Sequence, residues 1–238
     1  MSVLAYMGYY YYDVTYLLVI LGAVLSMIAS AQVNSTFKRY SRVRSGCGMT
    51  GAEAAERILY RNGLTNVRIE HISGNLTDHY DPSSKVLRLS DATYNATSVA
   101  AVGVAAHECG HAVQDARGYA PLKFRSALVP AANFGSKFGL PIFGLGLFLG
   151  SNELLMQICI WVFLAAVLFQ IVTLPVEFDA SHRAMGFLTE YGILSENEAE
   201  GSRRVLRAAA MTYVAAAAAA LLNLLRLVML SRRDDRRD

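Results

Sequence analysis

The chain has 238 residues, of which 54% are apolar, and a mean hydropathy of +0.31. Soluble domains hold about 45–50% apolar residues, and the excess here lies in long runs, so a membrane protein is expected. A net charge of +3 is too small to point to nucleic acid, and three cysteines (Cys47, Cys109 and Cys159) without a CxxC pair exclude a disulfide framework.

The first thirteen residues carry no Lys or Arg and end in Asp13. A secretory signal needs a positive n-region, so the first apolar run is expected to be a retained helix. Val14 to Val33 is twenty residues without a charge, which suits the roughly 20 residues needed to cross a bilayer. Tyr9 to Tyr12 precede it like an interfacial aromatic belt, and Lys38, Arg39, Arg42 and Arg44 follow it. The positive-inside rule then puts the N-terminus outside and the next segment in the cytoplasm. Residues 34–126 reinforce this, with 12 of the 22 basic residues.

The cytoplasmic segment opens with GMTGAEAAERILYRNG, Gly48 to Gly63. Thr50 and Glu53 form a capping box, the apolar stripe is Ala54, Ala55, Ile58 and Leu59, and Gly63 suits the C′ position. VRIEHI, at 67–72, alternates as a strand. LTDHYD and KVLRLS, separated by Pro82, Ser83 and Ser84, read as a hairpin ending at Ser90. A long helix should start near Thr97 or Ser98 and end before Gly118. The sequons at Asn75 and Asn95 need an extracytoplasmic face, which this orientation does not provide.

Residues 126–150 are apolar but interrupted by Pro130, Lys137 and Pro141, so Lys137 must snorkel or face a polar cavity. Leu154 to Leu174 is a cleaner span of 21 residues without a charge. The connection Ser151-Asn152-Glu153 has no basic residue and belongs outside. Pro175 to Arg207, with Arg183, Arg203, Arg204 and Arg207, returns to the cytoplasm, and Ser195 with Glu198 forms a second capping box. Ala208 to Leu225 is a fourth apolar run, and its six consecutive alanines, Ala215–Ala220, suit close helix packing. Four spans would leave the C-terminus outside, yet SRRDDRRD carries four arginines. Either this tail departs from the rule or one helix does not cross.

The expected fold is therefore an α-helical integral membrane protein of about four transmembrane helices with a small α+β, zincin-like cytoplasmic part. Its divisions are 1–33 (first span), 34–125 (cytoplasmic segment), 126–174 (two spans), 175–207 (cytoplasmic helices) and 208–238 (last membrane helix and charged tail).

The chemistry sits in AAHECGHAVQ, Ala105 to Gln114. His107 and His111 are four apart, hence on one face of a helix and one turn apart. That spacing lets both imidazoles reach one tetrahedral Zn²⁺ per chain. Glu108 borders the same metal and is placed to take a proton from the attacking water. Cys109 points away. The bland alternative is a pair of core or solvated histidines. A catalytic zinc needs a third protein ligand. The pattern HExxHxxGxxH fails, because Gln114 and Arg117 occupy its glycine and third histidine. Glu177, in LPVEFDASHRA on a helix expected to start at Pro175, is the first acidic residue after the third span and the best candidate. Ser181 shares its face at i+4; Asp179 does not at i+2. Both are candidates to support the ligands.

STFKRYSRVRS, GMTGAEAAERIL, LTDHYDPSSKVLRLS, TSVAAVGVAAHECGHAVQ, GYAPLKFRSALVPAANFGS and VTLPVEFDASHRA together resemble the YugP-type neutral zinc metallopeptidases, bacterial membrane proteins. The likeness covers nearly the whole chain. It implies a membrane-embedded zinc endopeptidase with His107 and His111 as ligands and Glu108 as base. A more distant resemblance is to the HtpX-type membrane gluzincins, which place their glutamate ligand in an ExxxD arrangement. Glu177 matches, but Ser181 stands where the aspartate would be.

The expected reaction is hydrolysis of peptide bonds in membrane or membrane-proximal proteins at the cytoplasmic face. The candidates to stabilise the oxyanion or contact substrate are His79, Tyr80, Arg183 and Tyr213, and the hairpin edge could bind substrate as an added strand. Zinc within the bilayer is disfavoured, since Val99 to Ala106 is only eight apolar residues long. The rival from another class is a non-catalytic, zinc-stabilised membrane scaffold or regulatory protein, which would show four protein ligands. Expected partners are a protein or peptide substrate and membrane lipid, not nucleic acid; partner membrane proteins are compatible but unnamed by the residues. The expected location is the cell membrane, multi-pass, with the catalytic part facing the cytoplasm.

Overall fold

The structure, a computed structural model, describes residues 14–148 and 153–234. The tyrosines at 9–12, the connection at 151–152 and the last arginines of the tail lie outside the described residues. Among the described residues, six helices and three strands follow in order: α1 (Tyr16–Tyr40), α2 (Gly51–Arg61), β1 (Arg68–Ile72), β2 (His79–Asp81), β3 (Val86–Ser90), α3 (Val99–Ala116), α4 (Ala120–Phe148), α5 (Glu153–Glu190) and α6 (Glu196–Asp234). The chain forms two compact units. One comprises 29–127 and 172–213; the other is formed by the described residues within 1–28, 128–171 and 214–238.

The first unit carries the sheet and α3. Its local signals act as expected. Thr50 accepts from the Glu53 amide while Glu53 reaches back to the Thr50 amide, closing both limbs of the capping box on α2. Ser98 caps α3, its hydroxyl accepting from the Ala101 amide at 3.2 Å. The β2–β3 hairpin turns at Asp81, whose carboxylate accepts from the Ser83 amide and from the Ser83 and Ser84 hydroxyls. The sheet order is β1-β3-β2: β2 pairs antiparallel with β3, and β1 pairs parallel with it on the other edge. Alternation along 67–72 identifies a strand but not its partner, so this parallel pairing is new information from the structure.

β3 is the central strand, and Val86, Leu87 and Leu89 are fully buried. α3 runs through the same core, packed with Ala54, Ala55 and Ile58 of α2, Leu87 and Leu89 of β3, Ala184 and Leu188 of α5, and Leu206 of α6. Burying a helix on so many sides demands small residues. At Gly110 a Cβ would come within 2.6 Å of the Ala180 carbonyl oxygen, so only glycine lets α3 and α5 approach this closely. Ser202 of α6 donates its hydroxyl to the Val99 carbonyl at 2.5 Å, which fixes the start of α3 against α6.

The second unit is built from apolar helical segments. Gly22 of α1 lies against Ala219 of α6, where a Cβ would be 3.1 Å from the Ala219 backbone. The alanine run thus packs closely against another helix, as small residues allow. Large apolar side chains point outward, including Ile20 (56% exposed), Met27 (63%) and Trp161 (69%). A surface of that kind suits lipid rather than water. Three described helices are long and apolar enough to cross a membrane: Tyr16–Tyr40, Gln157–Glu190 and Glu196–Leu230. α4 is not among them. It is nonetheless one continuous helix through Pro130 and Pro141.

One expected boundary is corrected. The helix carrying Glu177 does not begin at Pro175; α5 is continuous from Glu153, with Pro175 inside it. An interior proline removes one hydrogen bond and strains the preceding turn. The helix is nonetheless unbroken across it.

Candidate metal centre

α3 presents His107 and His111 on one face, their rings edge to face with centroids 4.7 Å apart. α5 brings Glu177 against both. Its Oε2 lies 3.3 Å from His107 Nε2 and 3.5 Å from His111 Nε2. The three donor atoms all fall within 4.8 Å of one another. Donors placed tetrahedrally about 2.0–2.1 Å from a shared Zn²⁺ would be about 3.3–3.4 Å apart. The two carboxylate–imidazole separations therefore already match what zinc requires, and two imidazoles with one carboxylate are ligands of the right chemistry.

The Glu177 side chain is only 3% exposed. A buried carboxylate is costly unless paired, and Arg125 supplies a partner by donating to Oε1 at 3.1 Å. This leaves Oε2 for the histidines. Neither Arg125 nor its role is legible from spacing, since it lies 52 residues away on another helix.

The orientation of His111 follows from Gln114. The Gln114 amide nitrogen donates to the Val176 carbonyl and to Asp179 Oδ2, both at 2.8 Å. Its amide oxygen is therefore the atom facing His111 Nδ1, at 3.0 Å. An oxygen there can only accept, so Nδ1 carries a proton, and Nε2, which faces Glu177, is the nitrogen left to ligate a metal. Asp179 in turn accepts from Arg183 Nε at 2.6 Å. Asp179 thus reaches the centre through Gln114 and needs no distortion of its helix. Gln114 is fully buried. In the sequence it stands out only as the residue that breaks the longer histidine pattern, yet its i+3 spacing places it on the His111 face.

His107 is held more simply. Ser181 Oγ lies 3.1 Å from His107 Nδ1; with Nε2 liganding, that hydroxyl accepts. Burial alone would lower the His111 pKa. The hydrogen bond to Glu177 and the charge of Glu108 outweigh it, so the metal-free imidazole is shifted upward. A bound dication would reverse that balance.

A cavity of about 230 Å³ opens at the site, lined by His107, Glu108, Glu177, Ser181 and Tyr213 among others. Of the four residues expected to contact substrate or oxyanion, Tyr213 alone lines it. His79 is exposed and bonded to the Thr77 carbonyl, Tyr80 donates its phenol to Asp115 at 2.8 Å, and Arg183 is held by Asp179 and over the Tyr119 ring. Cys109 is buried against the Ala55 carbonyl, away from the donors.

A family profile described as "Putative neutral zinc metallopeptidase" matches residues 15–232. The chain is also 47% identical over 206 residues to a Bacillus subtilis (strain 168) protein described as "Putative membrane protease YugP", covering 87% of this chain and 91% of that one. No solved structure matches the chain.

Proposed function

Because the chain belongs to the family of neutral zinc metallopeptidases, we propose that it is a membrane-embedded zinc endopeptidase. It hydrolyses peptide bonds in membrane or membrane-proximal proteins at the cytoplasmic face. The observation that carries this reading is the convergence of His107, His111 and Glu177 beside a cavity that Glu108 also lines.

Held by His107, His111 and Glu177, one zinc ion supplies Lewis-acid activation of water and of the substrate carbonyl. Glu108 takes the proton from the water as its oxygen attacks the carbonyl carbon. As the C–N bond breaks, Glu108 passes that proton to the leaving amine. Tyr213, with its phenol in the same cavity, is the donor to the developing oxyanion. Ser181, Gln114 and Asp179 orient the two imidazoles, and Arg125 neutralises the buried carboxylate. Substrate backbone adds to the outer edge of β2, one of the two edge strands of the sheet.

The site also bears on topology. His107 and His111 precede α4, Glu177 follows the apolar part of α5, and all three belong to one compact unit. The intervening chain must therefore cross the membrane an even number of times. If α5 crosses, α4 crosses too, and its 29 residues, about 43 Å at 1.5 Å per residue, are long enough. With α1 and α6 this gives four spans and a site on the basic, cytoplasmic side, and the tail with its four arginines is then the segment that departs from the rule.

The zinc-stabilised scaffold has less support. Three donors rather than four meet among the described residues, and a closed structural site has no use for a base facing a cavity. The test compares wild type with Glu108→Gln, following zinc content and casein cleavage together. Equal zinc with cleavage reduced about 10²–10⁴-fold in the variant is expected. Equal cleavage by both proteins would remove Glu108 from the mechanism.

A further inference from the structure

One side of the cavity takes no part in the chemistry above. Val33 of α1, Val104 of α3, and Leu206 and Ala210 of α6 line it together with Leu76. Leu76 and Asp78 differ from the rest in coming from the loop between β1 and β2. The Leu76 backbone lies at φ +56°, the left-handed region that non-glycine residues seldom occupy. The residue remains 37% exposed, so core packing does not account for the strain.

The loop is fixed on both sides of Leu76. After it, the Asp78 carboxylate accepts from the Ser90 amide at 2.8 Å and from the Ser90 hydroxyl at 2.9 Å. Before it, Gly74 donates to Asp91 Oδ2 at 2.8 Å, and its carbonyl accepts from the Asp91 amide at 3.1 Å. His71 holds the other Asp91 oxygen at 2.7 Å. A strained residue persists only where its surroundings over-determine it, and such residues cluster where ligands are gripped. Here the over-determination keeps an apolar side chain at the mouth of a polar site.

We propose that the 73–78 loop is the specificity-determining element of this peptidase, and that Leu76, Val104 and Leu206 form a pocket for one aliphatic side chain flanking the scissile bond. This rests on the peptidase reading. At about 230 Å³ the cavity is smaller than the roughly 300–1,000 Å³ that engulfs a small molecule, and it suits one side chain with its adjoining peptide group. The apolar wall leaves a charged side chain without partners. The carboxylates of Asp78, Glu108 and Glu177 on the remaining wall further disfavour Asp and Glu in the substrate.

The test uses full-length, zinc-loaded protein in detergent and a set of quenched-fluorescence peptides differing only at one flanking residue: Ala, Leu, Trp or Asp. Binding of the same peptides to Glu108→Gln is read by anisotropy. The pocket is changed by Leu76→Gly, which suits the left-handed backbone and so keeps the loop, and by Leu76→Trp, with zinc content confirming an intact site. Wild type is expected to favour Leu over Ala by about 10-fold or more, with Asp poorest. Leu76→Gly should move the Leu:Trp ratio toward Trp by about 10-fold, and Leu76→Trp should move preference toward Ala. Binding should follow the same order when the Leu76 changes are combined with Glu108→Gln. Cleavage with unchanged ratios in both Leu76 variants would overturn the pocket. Selective binding that tracks Leu76, without cleavage of any peptide, would leave the pocket standing and defeat the peptidase reading. Neither cleavage nor selective binding would defeat both.

Discussion

The two imidazoles of the candidate metal centre sit one helical turn apart, yet the protein holds them by different means. His111 is fixed by a buried chain of hydrogen bonds running from Gln114 to Asp179 and Arg183. His107 has a single hydroxyl, Ser181, and its side chain is the more exposed of the two, 14% against 10%. The difference is one of certainty in proton placement. An amide oxygen whose nitrogen is already committed leaves His111 one tautomer. A hydroxyl can donate or accept, so Ser181 by itself leaves the His107 tautomer open. The protein's own hydrogen bonds thus constrain His111 more tightly than His107.

That contrast predicts unequal losses. Gln114→Ala removes the acceptor that fixes His111 and leaves Asp179 with one fewer donor. Zinc affinity, measured by competition with a chromophoric chelator, should fall about 10–100-fold, the usual cost of losing a group that orients a metal ligand. Ser181→Ala removes one neutral hydrogen bond at the more exposed imidazole. A net loss of about 0.5–1.5 kcal/mol corresponds to a fall of only about 2–10-fold in the same assay. Equal losses in the two variants would break the comparison, and a larger loss in Ser181→Ala would reverse it.

The same contrast shows what the sequence makes legible. His107 and His111 are readable because helical periodicity alone places them together. The family resemblance to neutral zinc metallopeptidases is shown by the match across residues 15–232. Glu177 is readable as the first acid beyond an apolar run, and the structure brings it to the histidines. Thr50 and Ser98 cap their helices as their types predict, because capping is a local interaction between residues three apart. Gln114 and Arg125 are not readable, since each acts through an element distant in sequence: Gln114 through Val176 and Asp179, Arg125 through Glu177. The parallel pairing of β1 with β3 and the unbroken passage of α5 through Pro175 are tertiary outcomes that local propensity does not encode. Of the four proposed substrate contacts, only Tyr213 reaches the cavity, because a polar residue's chemistry says nothing about which way its element turns. Composition reads about four apolar runs, whereas three of the described helices are long and apolar enough to cross, because prolines and Lys137 interrupt the run that forms α4.

The most direct measurement is X-ray absorption at the zinc edge on the purified, zinc-loaded, full-length protein. The account predicts one zinc per chain with about two imidazole nitrogens and the rest oxygen, all near 2.0–2.1 Å, and predicts that Glu177→Gln lowers zinc occupancy. A sulfur ligand at about 2.3 Å, a third imidazole, or occupancy unchanged in Glu177→Gln would contradict it.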